Sequence, residues 1–322
     1  MSTTTPSSAP GSSTGATIPG PAASVPGPTT GERALVLGGG GSTGNAWLIG
    51  VVAGLAHAGI DVTTADLLVG TSAGATTGAQ LTGAAPAELY AAVVAGAPPR
   101  RTDAPGAGER RERTRQAADQ MARTAALIAA SHDAADMRRR LGAAALELPA
   151  ASDPSAQARW RATVAARLPS AAWPRRLLLL TAVDARTGEP VVLGAHSGVD
   201  LVDGVAASCA GGFAYGVGPV RFIDGGYRRN ENADLAAGYR RVLVLSPLGG
   251  RTRTPREWGM QLDAQVAELR AQGSAVETLV PDGTAEGLVG PRVMDLSLRP
   301  AAARSGYAQG VEAADRVARL WR

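Results

Sequence analysis

Short apolar runs alternate along this chain with longer stretches whose apolar residues recur every three or four positions. That is the pattern of strands alternating with helices. The first run, Arg33–Leu37, leads into Gly38–Gly41. Behind it, Trp47, Leu48, Val51, Val52 and Leu55 mark one face of a helix predicted over Gly44–Gly59. A link over Ile60–Asp66 precedes a second run, Leu67–Val69, which stops at Gly70. Thr71–Gly74 and the small-residue segment Ala75–Leu81 follow, and the latter can start a helix. Strand, helix, strand, helix in that order predicts an α/β fold with parallel strands and right-handed crossovers.

Beyond it the pattern changes. Ala97–Gly108 is rich in Pro and Gly and reads as a loop. Arg110–Pro169 is rich in Ala and Arg, with helical spacing through Met121, Leu127, Ile128, Met137, Leu141, Leu146 and Leu148 and no strand. Residues 97–170 therefore read as a helical insertion laid over the sheet, as ordinary packing helices or as a lid. Strands resume at Arg176–Val183, and Val191–Leu193 returns as a hairpin partner after a turn at Thr187–Gly188. A helix is expected over Val199–Ala207; Gly211–Gly218 is glycine-rich, and a strand over Val220–Ile223 delivers Asp224–Gly225–Gly226. Arg241–Leu245 is a further buried strand, Pro255–Gln272 an amphipathic helix bounded by Pro255 and Gly273, Ala275–Val280 a strand and Ala301–Leu320 a closing helix. Met1–Glu32 has almost no large apolar residue to offset its ordering entropy and reads as a disordered tail, which leaves 33–322 as one domain.

Composition narrows the options. Of 322 residues 45% are hydrophobic but only 4% aromatic, so the core must be built from Ala, Val and Leu. There is no lysine, and the net charge of +4 is too mild to point to a nucleic-acid partner. A single cysteine, Cys209, excludes an internal disulfide and a Cys-rich zinc site; the three histidines (His57, His132, His196) form neither an HExxH motif nor a closely spaced pair, so no metal site is expected. No basic-then-apolar leader and no run of about 18 apolar residues is present, so a soluble cytoplasmic protein is expected.

The pattern G-x-S-x-G occurs at Gly11–Gly15, Gly40–Gly44 and Gly70–Gly74. The first lies in the Ser/Thr/Pro/Gly tail with no strand nearby, and the second also follows a strand run, Ala34–Leu37; the last joins a strand run to a helix start through a turn tight enough to strain a serine and expose its Oγ, so Ser72 is the first nucleophile candidate and Ser42 the second. Two bases remain open for it. Asp224 stands at a strand end followed by Gly225 and Gly226, which let another backbone approach its carboxylate. Alternatively Ser72, Asp184 and His196 follow the chain order of an α/β-hydrolase triad. Gly38–Gly41 with Gly44 forms an amide-rich turn at a helix start, suited to an anion. Gly39, Gly41 and Gly44 also match a dinucleotide fingerprint, but the next strand ends in Gly70–Gly74 where that fingerprint needs an acid, and Asp61 and Asp66 precede it. A P-loop is excluded by the missing lysine.

Gly39–Gly44 (GGGSTG), Gly70–Gly74 (GTSAG) and Asp224–Gly226 (DGG), in that order, resemble the patatin-like phospholipase family, as do Val183–Val192 and Ile223–Ala237. The resemblance runs from about Ala34 to Arg322. It implies a three-layer α/β/α hydrolase with a mainly parallel sheet that cleaves acyl-lipid esters, transiently at a membrane surface, with no metal or other cofactor. It further implies a Ser72–Asp224 dyad, oxyanion amides from Gly39, Gly40 and Gly41, motif glycines at Gly44, Gly70, Gly74, Gly225 and Gly226, structural roles for Asp184 and His196, and loop hydrogen bonding by Asn230 and Asn232. One departure stands out: family members commonly carry Arg or Lys where this chain has Thr43.

Overall fold

The computed structural model describes residues 1, 30–96, 107–283 and 292–322. Residues 2–29 of the expected tail, with its GSSTG match, and residues 97–106 of the expected loop lie outside the described residues; Gly31 and Glu32, expected in the tail, already belong to the first strand, and Ala107 and Gly108, expected in the loop, open a helix. Strand β1 (Gly31–Leu37) leads to α1 (Gly41–His57), β2 (Leu67–Gly70), α2 (Ala73–Leu81) and α3 (Pro86–Ala95). The insertion follows as α4 (Ala107–Ala129), α5 (Ala134–Leu146), the single turn α6 (Pro149–Ser152) and α7 (Pro154–Ala165). Then come β3 (Leu177–Asp184), β4 (Pro190–Leu193), α8 (Leu201–Ser208), β5 (Tyr215–Val217), β6 (Val220–Asp224), β7 (Tyr239–Leu245), α9 (Leu262–Ala271), β8 (Ala275–Leu279), α10 (Arg299–Glu312) and α11 (Ala314–Trp321).

All eight strands form one sheet in the order β5-β6-β3-β2-β1-β7-β8, with β4 also paired to β3. The five strands from β3 to β8 are parallel, and β4, β5 and β6 join antiparallel. Because helices cover both faces, the central strands are apolar at every position rather than at alternate ones. Leu35, Leu37, Leu68, Leu180 and Leu243 point into one layer with Trp47, Val51 and Leu55 of α1. Ala34, Val36, Val69 and Val244 point into the other with Leu262, Val266 and Leu269 of α9. A third cluster, with Met137, Leu141, Val183 and Ile223, seats the insertion on the sheet. The expected α/β/α architecture with a mainly parallel sheet is the one observed.

Helices α1 and α10 pack backbone to backbone. A Cβ on Gly50 would lie 2.1 Å from the Ala303 carbonyl oxygen, and one on Gly306 would lie 2.3 Å from that of Trp47. Gly310 faces Val51 in the same way, so the helices run parallel and α10 begins beside the first turn of α1.

Two expectations change, and two elements were not foreseen. Pro255–Gln272 is not one helix: a 3-10 turn over Arg256–Trp258 ends at Gly259 in the left-handed region (φ 63°), and α9 starts only at Leu262. Glycine-rich 211–218 contains β5, which pairs with β6. The closing helix is two helices, divided at Ala313. Helix α3, with Pro86 in its first turn, was not foreseen. No described helix is long and apolar enough to cross a membrane.

Candidate active site

Strand register brings the candidate residues to one edge of the sheet. Gly70 is level with Leu37 on one side and with Leu180 on the other. Asp224 is level with Ala182, two positions beyond Leu180 and hence at the height of the turn after β2. In that turn Ser72 adopts φ 53°, ψ −110°, a strained backbone for a residue with a Cβ. It is held there by Thr71 N–H donating to the Leu37 carbonyl (3.1 Å), Gly74 N–H to the Thr71 carbonyl (2.8 Å) and Ser72 N–H to Ser208 Oγ (2.9 Å). The Cys209 thiol donates to the Ser72 carbonyl at 3.1 Å. Gly74 is obligatory, since a Cβ would come 1.9 Å from the Leu37 carbonyl oxygen; at Gly70 it would meet the Ala75 backbone at 2.7 Å.

Asp224 ends β6, where its carboxylate accepts the Gly226 N–H at 2.8 Å and has the Ser72 hydroxyl beside it. Burial pushes its carboxyl up to about 6, against the lowering effect of those two groups. Burial, with the Asp224 charge second, likewise pushes the Cys209 thiol and the Tyr227 hydroxyl up to about 12. Cys209 is therefore a protonated hydrogen-bond donor, not a thiolate.

Asn232 ties the two halves together. It sits in the left-handed region (φ 55°) and its buried amide donates to Thr71 Oγ1 (2.9 Å), Thr181 Oγ1 (3.1 Å) and the Gly225 (3.2 Å) and Arg229 (2.6 Å) carbonyls. Gly225 presses on β3, where a Cβ would be 2.2 Å from the Thr181 carbonyl oxygen. Asn230 supports the glycine loop through Gly39, and the buried Glu231 holds Asn230 Nδ2 (2.9 Å), Ser246 Oγ (2.7 Å) and Gln265 Nε2 (3.1 Å). Loop hydrogen bonding was the expectation for both asparagines, though not its extent.

The glycine loop needs one correction. Gly39 N–H donates to the Asn230 carbonyl at 3.0 Å, which removes it from the three expected oxyanion amides. The Gly40 and Gly41 amides have no acceptor among the described residues. Gly44 continues α1, its N–H donating to the Gly40 carbonyl. Ser42 lies in the first turn of α1 with ordinary helical surroundings, and its Oγ accepts from Arg299 (3.2 Å).

The alternative triad does not assemble. Asp184 caps the β3–β4 turn through the Arg186 (2.8 Å) and Thr187 (3.3 Å) amides. His196 is exposed and follows the other end of β4, whose Leu193 pairs with Leu180. That register puts about 13 Å of strand between Asp184 and the end of β4 from which His196 follows. No acid follows β2 to recognise a ribose, and among the described residues no cluster of His, Cys, Asp or Glu could hold a metal.

Two neighbours of the candidate residues were invisible in the sequence: Ser208, which closes an ordinary apolar helix, and Arg299, which reaches Ser42 from 257 positions away. No local pattern marks either.

Together these features define a class: an α/β protein with a strained, accessible serine in a strand-to-helix turn, paired with a desolvated aspartate across the sheet edge. The family model for patatin-like phospholipase matches residues 35–237, and this chain belongs to that family. Membership implies a lipid acyl hydrolase. No curated protein matches the chain. Among solved structures it is similar to the type III effector protein ExoU, with 14% identity, a TM-score of 0.37, and coverage of 88% of this chain and 53% of that one. A structure of full-length SpcU in complex with full-length ExoU, from the type III secretion system of Pseudomonas aeruginosa, gives 16% identity, a TM-score of 0.38 and coverage of 91% and 53%. The chain thus spans about half the length of these proteins.

Proposed function

We propose that this protein hydrolyses carboxylic esters of phospholipids or related acyl lipids through an acyl-enzyme on Ser72. Asp224 accepts the hydroxyl proton as Ser72 Oγ attacks the ester carbonyl carbon. The Gly40 and Gly41 amides, at the start of α1, receive the developing oxyanion. Asp224 then returns its proton to the departing alcohol, and the C–O bond of the ester breaks. In the second half a water gives its proton to Asp224 and attacks the acyl-enzyme; Asp224 then returns that proton to Ser72 Oγ as the acyl C–O bond breaks, which releases the carboxylic acid and restores both residues. The scheme uses no histidine, metal or other cofactor. Contact with a membrane surface is transient, as the substrate is presented.

The observation that carries this reading is the pairing of Ser72, held at φ 53°, with a carboxylate whose pKa is pushed up to about 6, close to that of a useful general base. The test is turnover of phospholipid and p-nitrophenyl ester substrates by four proteins. Ser72→Ala and Asp224→Asn should each abolish turnover, and His196→Ala should leave it at the wild-type value. Activity retained in Asp224→Asn and lost in His196→Ala would refute the dyad.

A further inference from the structure

Arg299 is placed where a stabilising arginine would not be. It opens α10, and because α10 runs parallel to α1 its guanidinium reaches the first turn of α1. One terminal nitrogen donates to the Ser42 carbonyl (2.7 Å) and Ser42 Oγ (3.2 Å), and the other donates to Asn45 Oδ1 (3.0 Å). No carboxylate lies within ion-pair distance of it among the described residues. Burial, and then the charge of Arg167, lower its pKa, so the surroundings oppose the cation. A positive charge at a helix N-terminus also opposes the helix dipole. The fold therefore keeps a half-buried, acid-free cation at an unfavourable place, and its partners, Ser42 and Asn45, stand in the first turns of α1, directly after the glycine loop.

The contacts continue into the serine turn. Asn45 Nδ2 donates to Thr77 Oγ1 (2.8 Å) and Gln80 Oε1 (2.9 Å), and the Thr77 hydroxyl donates to the Ala73 carbonyl (2.9 Å). One chain of hydrogen bonds thus runs from Arg299 through Asn45 to the first turn of α2, directly after Ser72. Thr43, buried and uncharged, donates its N–H to the Val293 carbonyl (2.9 Å) and supplies no charge here.

We propose that Arg299 is a positioning residue for ester hydrolysis, which fixes the Gly40–Ser42 turn against the Ser72 turn and lends positive potential to the oxyanion amides. Its charge comes from α10, 256 residues beyond Thr43 in sequence, and serves the loop position at which this chain has no basic side chain. The proposal rests on the Ser72 hydrolase reading. A charge near the developing oxyanion acts on the transition state and not on the neutral ester, so kcat should change and KM should not.

The experiment compares Arg299→Lys, Arg299→Gln and Arg299→Met with wild type for kcat, KM and Tm on a soluble p-nitrophenyl ester. Arg299→Met and Arg299→Gln should lower kcat about 100-fold, the effect typical of losing one oxyanion donor, with KM within threefold and Tm lowered by a few degrees at most. Arg299→Lys, which keeps the charge, should recover at least tenfold of that loss. Three results would overturn the role: kcat within threefold of wild type in Arg299→Met, no rescue by lysine, or loss of kcat only in step with loss of Tm. A wild-type protein with no esterase activity would instead remove the hydrolase reading, and this role with it.

Discussion

Replacing Asp224 by Asn should stabilise the protein while silencing it. The folded protein holds this carboxyl at about 6 instead of the ordinary 3.8, chiefly through burial. A folded pKa above the unfolded value means that the favourable contribution is complete below about 3.8 and is lost as pH rises through about 6. A rise of about two units at 1.36 kcal/mol each means that the ionised carboxylate costs about 3 kcal/mol at pH 8. Asparagine keeps the shape and an oxygen to accept the Gly226 N–H but carries no charge to desolvate. Asp224→Asn should therefore be more stable than wild type by about 2–3 kcal/mol at pH 8, and raise Tm by about 4–8 °C. At pH 4, where the wild-type carboxyl is protonated, the two should unfold together. Thermal and urea unfolding of both proteins from pH 4 to pH 8, with esterase activity measured alongside, gives the comparison. Equal or lower stability of Asp224→Asn at pH 8 would refute the reasoning, as would a gain of the same size at pH 4.

Other consequences are simpler. Because Asp224 must be ionised to accept a proton, kcat/KM should rise tenfold per pH unit below about 6 and level off above it; a profile flat between pH 5 and pH 8 would contradict its role as base. Gly74→Ala, which drives a Cβ to 1.9 Å from the Leu37 carbonyl oxygen, should cost about 3 kcal/mol or more in urea unfolding, and a cost below 1 kcal/mol would mean that the turn gives way easily. Asn232→Ala removes the donor shared by Thr71, in the Ser72 turn, and the Gly225 carbonyl, in the Asp224 loop, and should cost about 2–3 kcal/mol and lower kcat together. Unchanged kcat in that variant would show that the lock between Ser72 and Asp224 is dispensable.

How far the sequence could be read follows from the range of the forces involved. The β2 turn was legible because its requirements are local: an apolar run, a glycine where the Ala75 backbone approaches and another where Leu37 does. Asp224 was legible for the same reason, as an acid at a strand end with two glycines behind it. The break at Gly259 was masked because Pro255 and Gly273 make good outer bounds for one long helix, and an inner glycine is compatible with such a pattern. At Ala313 the chain has neither Gly nor Pro to announce the division. Strand β5 hides among glycines because its partner β6, not its own composition, makes it a strand. Gly39 and Arg299 were illegible on distance alone: the acceptor of the Gly39 amide lies 191 positions away in Asn230, and the carbonyl that receives Arg299 lies 257 positions away in Ser42. Motifs gave the residue types of the site, while only the packing of α10 and the Asn230 loop decides which amides are left open.

The central claim is that Ser72 is an activated nucleophile, and a fluorophosphonate probe tests it most directly. The full chain is labelled at pH 8, digested, and the modified peptide identified by mass spectrometry. We expect one adduct, on Ser72, lost in Ser72→Ala and strongly slowed in Asp224→Asn. An adduct on Ser42, or none on a protein that melts cooperatively, would contradict it.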